Sequence, residues 1–184
     1  MKIIETSIDG LVIVEPAIYG DERGYFFEAY NQANYVAAGI RADFVQDNLS
    51  FSLRGVLRGL HGQNPNSQGK LVSCLQGEIF DVAVDLREGS PTFGKWESVI
   101  LSPKIGRQFF IPRCFAHGFL VLSESALFSY KVDSYYDPKS EYSIRWDDPE
   151  IGIVWPEMDS RIISGRDRAG ISLSEFAGRV GVPT

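Results

Sequence analysis

Histidine is scarce in this chain: its 184 residues hold only His61 and His117. A catalytic zinc or iron centre built on imidazoles needs a set of three ligands with an open position, so such a centre is short of donors here. Cysteine is equally scarce. Cys74 and Cys114 have neither the spacing of a zinc ribbon nor the density of a disulfide scaffold, which points to a reduced, cytoplasmic setting. No apolar run is long enough to span a bilayer, and Met1-Lys-Ile-Ile-Glu-Thr6 lacks the apolar core of a signal peptide. Basic residues are outnumbered, 18 Lys and Arg against 24 Asp and Glu, for a net charge of -6. That balance excludes general nucleic-acid binding but leaves room for a local basic pocket that takes a phosphorylated ligand. A Gly-rich dinucleotide fingerprint is also missing, so no redox cofactor is indicated.

What is present reads as mostly β. Hydrophobic residues make up 44% of the chain, enough for a single domain over 1–184 with a full core. The spacing predicts strands at Leu11–Val14, Tyr25–Tyr30, Lys70–Leu75, Ile79–Leu86, Trp96–Leu101, Gln108–Ile111, Gly118–Leu122 and Leu127–Val132. Gln76-Gly77 is a turn between two of them. Short strands at this spacing favour an antiparallel sandwich or barrel over βαβ units. Helices are expected from Asn31, a cap, to Gly39, a stop, and from Ser172 to Arg179.

Strand alternation places Gln46, Asn48 and Ser50 on one face, either a wet cavity wall or the outer surface. Asp81, Ala83 and Asp85 share another face, which the pattern reads as an ordinary half-exposed strand. Both histidines sit in dense runs, Arg58-Gly-Leu-His-Gly-Gln63 and Phe110-Ile-Pro-Arg-Cys-Phe-Ala-His-Gly-Phe119. Imidazole is the side chain best matched to proton transfer near neutral pH.

Gly106, Pro112, Cys114 and His117 resemble the second motif of cupins, the double-stranded β-helix jelly rolls, with Cys114 where a Gly is usual. Many cupins bind a metal through a histidine pair, which is broken here at His61-Gly-Gln63. His61, His117 and Glu78 are the remaining candidate ligands.

A longer ordered series is more specific. It runs through Asp21-Glu-Arg-Gly24 with Phe26 and Glu28, Gln46-Asp-Asn48 with Ser50, Gly55-Val-Leu-Arg-Gly-Leu-His61 and Gln68-Gly-Lys70. It continues through Asp81-Val-Ala-Val-Asp-Leu-Arg87, Ser90-Pro-Thr-Phe-Gly94, Phe115-Ala-His-Gly-Phe119, Tyr130-Lys131, Tyr135-Tyr-Asp-Pro138, Trp155-Pro156 and Ser164–Asp167. This series resembles the dTDP-4-dehydrorhamnose 3,5-epimerases, which are metal-free and cofactor-free cupin enzymes.

The resemblance implies a cupin jelly roll with a few short peripheral helices, and inversion at C3 and C5 of a dTDP-4-keto-6-deoxyhexose. Enzymes that invert only one of the two carbons share the pattern, and a noncatalytic sugar-nucleotide binder is the alternative from another class. It assigns His61 as base, Asp167 as its partner, Tyr130 as proton donor from the opposite face, and Lys70 as the charge beside the developing oxyanion. It places Arg23 and Arg58 on the pyrophosphate, Gln46, Asn48, Ser50 and His117 in the pocket, Tyr19, Phe26 and Tyr136 as aromatic walls, and Glu28 on thymine. It implies a homodimer in which Tyr19, Arg23, Phe26 and Glu28 serve the partner's pocket.

Read alone, Phe26 and Tyr130 fit core aromatics, Lys70 a solvated surface charge and Asp167 a turn. This chain has Gly62 where the family usually carries an aromatic, which is expected to loosen the stretch from Gly62 to Gly69.

Overall fold

The computed structural model describes residues 1–180; the 181–184 end of the single-domain expectation lies outside the described residues. In chain order the elements are β1 (Lys2–Glu5), β2 (Val12–Glu15), β3 (Tyr19–Asp21), β4 (Gly24–Phe26), α1 (Gln32–Ala37), β5 (Gln46–Leu53), β6 (Val56–Gln63), β7 (Lys70–Gln76) and β8 (Ile79–Asp85). They continue with β9 (Trp96–Leu101), β10 (Gln108–Ile111), β11 (Phe115–Val121), β12 (Ser125–Val132), β13 (Glu141–Ser143), β14 (Ile162–Ile163), α2 (Gly165–Arg168) and α3 (Leu173–Val180). One sheet has the order β1-β2-β10-β7-β12-β5, and the facing sheet β13-β6-β11-β8-β9 with β14 added to β6. This is the antiparallel sandwich that the strand spacing predicts, in the cupin jelly-roll form that the resemblance implies.

The two sheets press a common core between them, with Val72, Phe109 and Phe128 from one and Ala83, Phe119 and Val121 from the other. The far side of the β6–β11–β8 sheet is covered as well. Leu57, Leu60, Val82, Val84 and Leu120 meet Ile144, Ile151, Trp155 and Phe176 from the C-terminal part of the chain. A smaller cluster of Val14 and Leu71 under Tyr35 and Ile40 seats α1 on the other sheet. Asn31 caps α1 by accepting from the Asn34 amide, as the pattern predicts.

Several expectations need correction. Asp81 and Asp85 are not half-exposed; both are at 0% exposure. β8 is central and covered on both faces, so it has no solvent side. Asp85 is satisfied there by Arg87, Ser90 and Thr92. The strand predicted over Tyr25–Tyr30 is confined to Gly24–Phe26, one arm of a hairpin with β3. It stops because Glu28 turns away to accept from the side-chain amides of Asn31 at 3.0 Å and Asn34 at 2.6 Å, where α1 begins. The β6 strand carries Gly59 and Gly62, which break its apolar alternation, and it escapes a reading by pattern. Gly77 has φ +81°, and a Cβ there would lie 2.0 Å from the Ser125 carbonyl oxygen, so the β7–β8 turn requires glycine.

The stretch after Gly62 is tethered rather than loose. Gln63 donates from Nε2 to the Asn66 carbonyl at 2.7 Å, and its Oε1 accepts from the Asp137 amide at 3.1 Å. Gln68 donates to the Ser134 carbonyl at 2.7 Å. Gly62 itself lies inside β6, and the space its side chain would fill is taken by Tyr142, whose Oη is 2.2 Å from the position of a Gly62 Cβ. The aromatic bulk is thus supplied by β13, paired across from Gly62.

Candidate active site

Between the sheets, toward the β6–β12 end, lies a cavity of about 190 Å³. Its volume is below the ~300–1,000 Å³ of pockets that enclose a whole drug-sized ligand. It suits a sugar ring, with any nucleotide left to the rim. One wall brings His61 and Arg58 from β6 and His117 and Phe119 from β11; the other brings Lys70 from β7, Phe128 and Tyr130 from β12, and Ser50 from β5. Tyr136 and Glu141 stand at the mouth.

Each position follows from strand alternation. On β12, Phe128 and Tyr130 point inward while Lys131 points out and pairs with Asp47 at 2.9 Å. On β5 the open choice for the Gln46–Asn48–Ser50 face is resolved in favour of the cavity at Ser50 alone. Ser50 lines the cavity and its Oγ is buried without a protein partner. Gln46 donates to Asn48 Oδ1 at 2.9 Å and accepts the Tyr136 amide at 3.2 Å, so these two amides order the rim rather than line the cavity.

His61 Nε2 lies 2.6 Å from Asp167 Oδ1. A carboxylate only accepts, so Nε2 carries the proton and Nδ1 is the basic nitrogen. Asp167 is 3% exposed. Burial alone would raise its pKa, but the His61 bond and charge, with Ser164, hold it below the ordinary aspartate value. The Ser164 side chain caps α2 by accepting from the Asp167 amide, so the residue expected in a turn is held in one helical turn.

Lys70 is buried, and burial lowers its ammonium to about 8 against the pull of Asp81 and Glu141. It is therefore not the solvated surface charge that its local sequence suggests. Burial, then Glu141, raises the Tyr130 phenol above its usual value against the effect of Arg58, so at neutral pH it holds a proton that it can give. His117 is buried and stacks on Phe128 at 5.7 Å between ring centres.

Glu141 and Arg166 were not singled out by sequence reasoning. Glu141 accepts from Tyr136 Oη at 2.6 Å and pairs with Arg166 at 2.6 Å. Nothing in the local pattern marks Glu141; only the pairing of β13 with β6 brings it to the site. Arg166 had one signal, its place beside Asp167.

Tyr19, Arg23, Phe26 and Glu28 do not reach this cavity. They lie on and after the β3–β4 hairpin, which among the described residues pairs with no other strand. Tyr19 is 67% exposed and Phe26 70%, so Phe26 is not core packing. Among the described residues no group of three His, Cys, Asp or Glu is placed to hold a metal ion; each imidazole instead faces a carboxylate.

The profile of the dTDP-4-dehydrorhamnose 3,5-epimerase family matches residues 5–175. The chain belongs to this family. The dTDP-4-dehydrorhamnose 3,5-epimerase of Methanothermobacter thermautotrophicus is 55% identical over 91% of this chain and 91% of its own. The one of Salmonella typhimurium is 52% identical over 95% of this chain and 97% of its own. The crystal structure of the dTDP-6-deoxy-D-glucose-3,5-epimerase RmlC of Legionella pneumophila, in complex with dTDP-4-keto-L-rhamnose, matches with TM-score 0.94 and 53% identity, covering 97% of this chain and 96% of that one. An epimerase of this family needs a base and an acid that reach opposite sides of a ring, and two facing sheets offer such a frame.

Proposed function

We propose that this protein is the isomerase that converts dTDP-4-dehydro-6-deoxy-D-glucose to dTDP-4-dehydro-L-rhamnose by inverting C3 and C5. One observation carries the reading: His61 and Tyr130 line the same cavity from opposite sheets. Protons at C3 and C5 are acidic because each carbon flanks the C4 ketone. His61 Nδ1 takes one of them, the C–H electron pair moves into the ring, and O4 becomes an enolate oxygen. Asp167 steadies the imidazolium that forms, and the Lys70 ammonium stabilises the enolate. The enolate then collapses, carbon takes the Tyr130 phenolic proton from the other face, and the configuration inverts. Proton return through solvent restores both side chains, so the cycle needs no redox partner.

The nucleotide belongs outside the small cavity. Arg58 lies at its edge and suits the pyrophosphate, because a guanidinium makes paired charge-assisted bonds. Tyr136, held by Gln46 and Glu141, is a wall for thymine. Tyr19, Arg23, Phe26 and Glu28 complete the nucleotide site of a second copy in a homodimer. Two features support that assembly. An isolated two-stranded hairpin is marginal by itself, and β5 is an edge strand with Leu49, Phe51 and Leu53 exposed beside it. The single domain over 1–184 and a cytoplasmic setting, in keeping with the free cysteines Cys74 and Cys114, complete the reading. Among the described residues no helix is long and apolar enough to cross a membrane.

Deuterium uptake from solvent into dTDP-4-keto-6-deoxyglucose tests the proposal. Label at both C3 and C5 is expected. Label at one carbon reduces the activity to a single inversion, and no label leaves a binder. Sedimentation that shows a monomer at micromolar concentration would remove the shared pocket.

A further inference from the structure

Asp81 has no part in the scheme above, yet it is the most deeply enclosed acid beside the cavity. It is at 0% exposure on the inner face of β8, and both its carboxylate oxygens lie 3.0 Å from His117 Nε2. Two oxygens that share one nitrogen describe a single N–H centred over a carboxylate. Across the cavity stands Lys70, at 8% exposure, and Asp81 exerts the strongest pull on it, ahead of Glu141.

The titratable and charged groups that line the cavity are His61 and Arg58 from β6, Lys70 from β7, His117 from β11, Tyr130 from β12, Glu141 from β13 and Tyr136; Asp81 of β8 stands behind His117. Glu141 is already committed to Arg166 and Tyr136, and Asp167 to His61. Asp81 has no guanidinium or exposed lysine of its own. A buried carboxylate needs both hydrogen bonds and a counter-charge. The arrangement that leaves the least uncompensated charge is an anionic Asp81, a neutral His117 and a cationic Lys70. Burial pushes His117 down, which favours its neutral form; burial also raises Asp81, opposed by His117 and Lys70, so the anion depends on the His117 hydrogen bond and the Lys70 charge.

We propose that Asp81 is a positioning residue: it fixes His117 as the Nε2–H tautomer, leaving Nδ1 as the acceptor for a sugar hydroxyl, and it keeps Lys70 an ammonium in the opposite wall. The inference rests on the epimerase reading for its purpose but not for its test. Asp81 touches no substrate; it sets the state of two groups that line the cavity. The same carboxylate links the two walls electrostatically, so hydroxyl recognition and enolate stabilisation depend on one buried charge.

Nitrogen NMR of His117 in the full-length wild-type protein at pH 7 is expected to show a proton on Nε2 and a bare Nδ1. An imidazolium or the Nδ1–H tautomer would overturn the proposal. In Asp81→Asn, the carbon-13 titration of Lys70 Cε and the alkaline limb of kcat are both expected to move down by about one pH unit or more, the effect of removing a nearby opposite charge. The KM is expected to change less than kcat. A merely structural role for Asp81 would lower stability without moving either titration, and an unmoved Lys70 in the folded variant overturns the idea. If Asp81→Asn does not fold, the wild-type His117 tautomer decides. If the wild-type enzyme labels no carbon, the epimerase reading fails, while the His117 and Lys70 measurements still judge Asp81.

Discussion

The sharpest test of the acid–base scheme is Asp167→Asn. The substitution keeps the shape of a side chain that is 3% exposed and removes its charge. The carboxamide oxygen of the substituted side chain still accepts from His61 Nε2, so the ring keeps a partner. What disappears is the anion opposite the imidazolium that forms as the sugar proton leaves. With charge centres about 4 Å apart and an effective dielectric of about 20, that attraction is roughly 4 kcal/mol. The lower bound is the difference between a charge-assisted and a neutral hydrogen bond, about 1 kcal/mol. A loss of kcat of ~10²–10³ lies within these limits. Asp167 does not line the cavity, so dTDP affinity and KM are expected to stay close to wild type. The assay is single-turnover deuterium uptake at C3 and C5 followed by NMR, with calorimetry of dTDP binding beside it. A folded variant with kcat within about threefold of wild type would remove Asp167 from the chemistry, since even the ~1 kcal/mol bound predicts more.

Other perturbations separate the remaining roles. Tyr130→Phe removes the acid but not the base, so epimer formation is expected to fall by ~10²–10⁴ while deuterium exchange falls less; equal losses in both would place Tyr130 elsewhere in the mechanism. Gly62→Ala drives a methyl to within 2.2 Å of the Tyr142 hydroxyl, at a cost of about 1–3 kcal/mol in urea unfolding. Tyr142→Ala is expected to relieve that clash, so the double variant is less destabilised than the sum of the singles, and strict additivity would show that the two do not share the space. Burial opposes ionisation of Asp85, but bonds from Arg87, Thr92 and Ser90 lower it to about 2 from 3.8. Its folded pKa is depressed, so this contribution of roughly 2 kcal/mol is present above pH ~4 and is lost as pH falls toward 2. Unfolding free energy followed from pH 5 to 2 is expected to drop more steeply in wild type than in Asp85→Asn, and parallel curves would refute it.

Much of the fold is legible in the chain because local and tertiary forces agree. Trp96–Leu101 and Gln108–Ile111 are strands over the bounds their β-rich composition suggests, and Asn31 caps the helix it should. Legibility fails where tertiary structure overrides pattern. Asp81 and Asp85 alternate like solvent-facing residues, yet the C-terminal layer closes the outer face of their sheet and the facing sheet closes the inner one. Lys70 and Asp167 look like surface residues in their own segments and become part of the site only through distant strands. His61 and Tyr130, which line the cavity from opposite sheets, stand out only through the ordered series of motifs. Glu141 was not, because its importance comes from β13 lying next to β6, a pairing that no short window encodes.

The partner that orients the His61 ring stands 106 residues further along the chain. A ribosome that has made His61, Lys70 and Tyr130 has therefore not yet made the group that holds the imidazole. Glu141, which accepts from Tyr136, and its partner Arg166 also follow Tyr130 in the chain. On the proposed scheme, proton transfer therefore waits until the chain has passed Asp167, and a nascent chain that stops short of it carries an imidazole without its bearing.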